Sequence, residues 1–123
     1  MGRIERVNKA IKEEVSNIVL REVKDPRLQF VTITHVDVSR DLQHARVYFT
    51  VLGNEEKTRE AQSGLNSAKG FIRRLVGQRV NMRYTPEIEF IFDKSVEYGM
   101  QIEEILGKIR NVHQKDSQST PEE

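Results

Sequence analysis

Residues 65–77 read LNSAKGFIRRLVG, and the fold turns on how this stretch is parsed. Leu65, Ala68, Phe71, Ile72, Leu75 and Val76 recur at helical spacing, which predicts an apolar face turned toward a core. Gly70 interrupts that face and Gly64 lies just ahead of it, although a glycine inside a helix costs about 1 kcal/mol relative to alanine. Gly77 follows the last periodic residue, where a C-terminal cap is expected. A phosphate loop, a break between two helices and a tolerated glycine are the competing readings. The phosphate loop fails on spacing. The Walker pattern sets four residues between its glycines and follows with Lys and Ser or Thr. Here five residues separate Gly64 from Gly70, and Phe71-Ile72 follow.

Upstream, Ile4, Val7, Ile11, Val15 and Ile18 step by three or four, so residues 3–23 form an amphipathic helix that Asp25-Pro26 ends. Residues 30–39 and 44–52 are β-rich and joined by a polar turn, which makes a hairpin. The second strand alternates cleanly through Ala45, Val47, Phe49 and Val51. The first does not: Val31 and Ile33 fall on one face and Val36 and Val38 on the other. Either it is buried in part on both sides or it carries a bulge. Downstream, IEFIFD (88–93) reads as a third strand, and Val96, Met100, Ile102, Ile105, Leu106 and Ile109 predict a last helix from about 96 to 111. The tail HQKDSQSTPEE has no apolar residue, so 113–123 are expected to be disordered. With the break at Gly70, the order is α-β-β-α-α-β-α. That is an α+β domain over 1–112, with a three-stranded sheet and helices packed mainly on one face.

Composition excludes more than it assigns. Hydrophobic residues make up 37% and charged residues 32% of the 123, and no apolar run reaches the roughly 18–20 residues of a membrane span. The start, MGRIERVNKAIKEE, has no continuous apolar stretch of the kind a signal peptide needs. There is no cysteine, hence no disulfide, thiolate metal site or cysteine nucleophile. His35 and His44 flank the hairpin without a third convergent ligand, so no metal site is expected. The pairs Glu13-Glu14 and Glu103-Glu104 point in different directions on a helix and do not make an acid–base pair. No nucleophile, base and orienting group assemble, and neither enzymatic activity nor a cofactor is expected. A cytoplasmic protein is the expectation.

Net charge is only +1, but its distribution is uneven. Residues 61–86 hold Lys69, Arg73, Arg74, Arg79 and Arg83 and no Asp or Glu, whereas residues 87–123 hold nine acidic and four basic groups. Such a window is either a side that faces a polyanion or a solvated surface whose counter-charges come from neighbouring elements. If a helix begins near Gly70, Lys69 and the first free N–H groups converge on one place, as phosphate sites do. Arg3, Arg6 and Lys9 line one side of the first helix and are secondary candidates. Tyr84 is a candidate for stacking on a base or a structural residue before Thr85-Pro86.

An α-β-β-α-α-β order with a helix-turn-helix before the last strand resembles the type II KH fold, whose members bind single-stranded RNA at a GXXG loop. This chain has no GXXG and carries Ala68-Lys69-Gly70 in its place. That Ala-x-Gly interhelical kink, together with KDPRLQFVTITHVDVSRDLQHARVYFTVLG (24–53) and RYTPEIEFIFDKSVEYGMQIEEIL (83–106), is similar to the bacterial ribosome-binding factor A family. The resemblance covers roughly residues 3–110. It implies a monomeric, non-enzymatic assembly factor for the small (30S) ribosomal subunit. Such a factor binds 16S rRNA late in maturation, supports growth in the cold, and is released with the help of a ribosome-dependent GTPase. The kink is carried over to Ala68, Lys69 and Gly70, and the cations around it are candidate RNA contacts on electrostatic grounds. A protein-interaction adaptor, or a general RNA-binding KH-like module, is the alternative. Under the kink reading, Gly70→Ala is expected to straighten the helices, or to clash if Gly70 has positive φ.

Overall fold

A computed structural model describes residues 2–95. The expected last helix and tail lie outside the described residues. Helix α1 spans Arg3–Arg21. The Gly2 backbone N–H donates to Glu5 Oε1 at its start (2.6 Å), satisfying a group the helix leaves free. Ile11, Val15, Ile18 and Val19 are its buried stripe. A one-turn 3-10 segment follows at Pro26–Leu28, capped by Asp25, whose Oδ1 accepts from the Arg27 N–H at 2.9 Å. Strands β1 (Val31–Val38) and β2 (His44–Val51) pair antiparallel. The turn between them is held by side chains. Asp41 accepts from the Ser39 hydroxyl (2.7 Å) and the Gln43 N–H (3.0 Å), and this network supports Leu42 at φ +61°. Leucine at that φ carries a steric cost of about 1–2 kcal/mol, and Leu42 recovers contact by packing against the core.

The irregular first strand carries a bulge. Register shifts between Ile33 and His35, leaving Thr34 as the extra residue. The shift brings Ile33, Val36 and Val38 to the same buried face, in spite of their mixed parity in sequence. They join Ala45, Val47 and Phe49 of β2 and Ile88 and Phe90 of β3 (Glu87–Phe92). Strand β3 lies parallel to β2, so the sheet order is β1-β2-β3. The buried face packs on the helices. The other carries exposed or half-buried Thr32, His35, Asp37, Arg46, Tyr48 and Glu89. The α+β class with a three-stranded sheet therefore holds.

One expectation is corrected. Residues 55–79 form a single uninterrupted helix, α2 (Glu55–Arg79), not two helices separated by a turn. It starts at Asn54, whose Oδ1 accepts from the Lys57 N–H at 2.9 Å. Gly77 is also not the cap. The helix runs on to Arg79, and the cap is Val80, whose N–H reaches the Val76 carbonyl at 2.8 Å. The glycines of α2 have separate roles. A Cβ on Gly64 would sit 3.0 Å from Leu28 Cδ2, so this glycine admits the 3-10 segment against the helix. A Cβ on Gly77 would collide with the Thr85 hydroxyl, so this one admits the chain leading into β3.

Candidate nucleic-acid interface

The acid-free window becomes the second half of α2 and the segment 80–86. Folding divides its five cations into two groups. Arg73 turns inward: Nε donates to the Pro86 carbonyl (3.0 Å) and a terminal nitrogen to the Thr85 carbonyl (2.8 Å). The same group lies 3.4 Å from Glu87. Arg79 reaches α1, with Glu22 at 3.2 Å and Glu14 at 3.8 Å. For these two the counter-charges do come from neighbouring elements. They fasten the fold, although both side chains stay partly exposed. Lys69, Arg74 and Arg83 have no carboxylate partner among the described residues. Lys69 is half-buried, and Arg74 and Arg83 are exposed.

Arg74 and Arg83 each lie against an aromatic ring. The Arg74 guanidinium carbon is 5.3 Å from the centre of Phe71, and that of Arg83 is 5.6 Å from the centre of Tyr84. Both distances are within cation–π range. Periodicity places Phe71 in the core, yet it is 36% exposed, and Tyr84 is 61% exposed. Ile72 and Val76 are the side chains this half of the helix buries.

Ala68, Lys69 and Gly70 are consecutive residues inside α2. No helix begins at Gly70, so the free N–H groups expected beside Lys69 are engaged within the helix, and no phosphate site of that kind forms there. The true start of α2 carries Glu55 and Glu56, which disfavours an anion. Gly70 does not have positive φ, and a Cβ added to it would meet nothing within 4 Å. Neither backbone conformation nor internal packing requires this glycine.

Arg3, Arg6 and Lys9 are exposed along the first turns of α1, and none of them forms an ion pair with a carboxylate among the described residues. This part of α1 lies at the end of the sheet where β1 finishes and β3 begins. Asn8 accepts from the Val38 N–H at the end of β1 (2.8 Å), and the Glu87 N–H at the start of β3 donates to the Gln43 carbonyl (2.8 Å). His35 and His44 are not brought together. His35 stands opposite Tyr48 with ring centres 5.6 Å apart, while His44 begins β2 opposite Glu87. Among the described residues no His, Asp and Glu cluster could hold a metal, and no charged or polar side chain is buried. Two carboxyls are held below the usual range. The Arg27 side chain and backbone donate to Asp25, and Ser39 and Gln43 donate to Asp41. Both hold turns in place.

The pattern that defines ribosome-binding factor A matches residues 3–106. The chain belongs to the ribosome-binding factor A family. Ribosome-binding factor A of Halothermothrix orenii is 46% identical over 114 residues, covering 93% of each chain. The crystal structure of ribosome-binding factor A from Thermus thermophilus superposes with a TM-score of 0.65 at 26% identity, covering 74% of this chain and 96% of that one. A homology model of the Thermus thermophilus ribosome-binding factor A, fitted into the cryo-EM map of a 30S complex with that factor, superposes with a TM-score of 0.56. It is 27% identical and covers 74% of this chain and 91% of that one. These likenesses agree with a KH-like arrangement of the described elements.

Proposed function

We propose that this chain is a non-enzymatic assembly factor that docks on the immature small ribosomal subunit and contacts its 16S rRNA. Membership in the ribosome-binding factor A family carries the reading, with a relative fitted into a 30S complex as its structural support. The chemistry is compatible. Lys69, Arg74 and Arg83 present cations with no carboxylate partner among the described residues, and Gly70, between the first two on α2, leaves the helix surface open to close approach. Arg3, Arg6 and Lys9 extend the contact as secondary residues, and Arg73 and Arg79 hold the scaffold. The protein acts as a monomer in the cytoplasm, supports growth in the cold, and leaves the subunit with the help of a ribosome-dependent GTPase.

Sucrose-gradient fractionation of cell lysate tests the proposal. The protein is expected with free small subunits and absent from whole ribosomes. Even distribution across RNA-containing fractions would favour a general RNA-binding module instead. Salt tests the contact. Three to six phosphates give a slope of log K against log salt of about −2.1 to −4.2 on single strands or about −2.7 to −5.4 on duplex-like RNA. A flat response would turn the assignment toward a protein-interaction adaptor.

A further inference from the structure

Three Phe and Tyr side chains are exposed among the described residues, Phe30 and Tyr84 by more than half and Phe71 by 36%. Phe71 and Tyr84 each have an arginine over the ring, and both fall in the acid-free window. Phe30 has neither feature. An exposed ring next to an unpaired guanidinium offers what a nucleotide needs, a flat apolar surface for the base and a cation for its phosphate. The segment that carries Tyr84 is also held in place. Arg73 donates to the carbonyls of Thr85 and Pro86, and Gly77 lets Thr85 lie directly on the helix that carries Phe71. The two ring–arginine pairs therefore sit on one fastened framework, which limits the ordering cost of binding.

We infer that Phe71–Arg74 and Tyr84–Arg83 are two stacking platforms for unpaired bases, so that the RNA recognised by this face is a single-stranded or bulged segment. The inference rests on the proposed docking to ribosomal RNA and specifies which form of RNA the face takes. Duplex RNA keeps its bases stacked on each other and offers this face only phosphates. An unpaired segment satisfies the rings as well as the cations.

The test uses the full chain and two fluorescent RNA probes of equal length, an unstructured single strand and a perfect duplex, across a salt series. Wild-type protein is expected to prefer the single strand. The double variant Phe71→Leu/Tyr84→Leu is expected to lose about tenfold in single-strand affinity per ring. Its duplex affinity should change less than twofold, and its salt slope should not change, because no phosphate contact is removed. The single variant Phe71→Tyr keeps an aromatic face and should retain single-strand binding, and thermal melts of each variant confirm folding. Unchanged single-strand affinity in the folded double variant overturns the platforms, as does an equal loss on both probes. If wild type binds the duplex better, with a steep salt slope, the platforms fail while the docking proposal stands. If wild type binds neither probe nor small subunits, the docking proposal fails first and the platforms fall with it.

Discussion

Arg73 and Arg74 are adjacent and chemically alike, and the structure predicts opposite consequences for replacing them. Arg73 donates two charge-assisted hydrogen bonds to the carbonyls of Thr85 and Pro86, at 2.8 and 3.0 Å, and Pro86 is buried. Hydrogen bonds from charged groups contribute about 1.5–3 kcal/mol each when protected. The Arg73 side chain is 40% exposed, so water replaces part of each bond and about 1 kcal/mol apiece is the better figure. The Glu87 contact involves two exposed partners and adds roughly 0–1 kcal/mol. Arg73→Ala should therefore cost about 2 kcal/mol. For a domain of this size that lowers the melting temperature by roughly 8 °C. Arg74→Ala loses only an exposed contact to Phe71, about 0.5–1 kcal/mol, and should melt within a few degrees of wild type. Binding reverses the ranking. Arg74→Ala should weaken small-subunit association and reduce the salt slope by about 0.7–0.9, one phosphate contact. Folded Arg73→Ala should keep the wild-type slope. Melting by circular dichroism and co-sedimentation with purified small subunits measure the two effects. An Arg73→Ala variant that melts like wild type and yet fails to co-sediment would refute this division.

Three further outcomes follow from particular contacts. Gly70→Ala is expected to raise stability by about 0.5–1 kcal/mol in urea unfolding, since Gly70 is a helix-interior residue without positive φ and with open space where a Cβ would go; destabilisation would mean that the helix is strained there. Gly77→Ala should lose about 1–3 kcal/mol by collision with Thr85. Thr85→Ala should recover much of that loss in a double-mutant cycle, and strict additivity would count against the contact. Acid should weaken the fold through Asp25 and Asp41, whose carboxyls are held below the usual range by hydrogen bonds. Their contribution is present above the unfolded aspartate value of about 4 and is lost as pH falls through the lower folded values. NMR titration should show the Asp25 carboxyl moving up toward the usual range in Arg27→Gln, and no movement would remove Arg27 as the cause.

Much of this fold is legible in the chain order because it depends on local periodicity. The apolar steps of α1, the alternation of β2 and the composition of β3 each report which side of an element is buried. β1 is only half legible. Its parity conflict admits two readings, and pairing with β2 selects the bulge at Thr34. The glycines are less legible still. In sequence, Gly64, Gly70 and Gly77 are alike, and the weak point of a helix looks like its end. Gly64 and Gly77 are instead contact points for the 3-10 segment and for Thr85, partners 36 and 8 residues away that no local pattern announces.

The acid-free stretch 61–86 is visible in the sequence, and so is the set of cations on it. Which of them are paired within the fold is not. Arg73 meets carbonyls beyond the end of its helix, and Arg79 meets Glu14 and Glu22, more than fifty residues earlier in the chain. Charge is a property of the residue, but its neutralisation depends on which distant groups folding brings within a few ångströms. Exposure follows the same rule. Phe71 has the spacing of a core residue, and only the packing of α2 through Ile72 and Val76 leaves its ring at the surface beside Arg74.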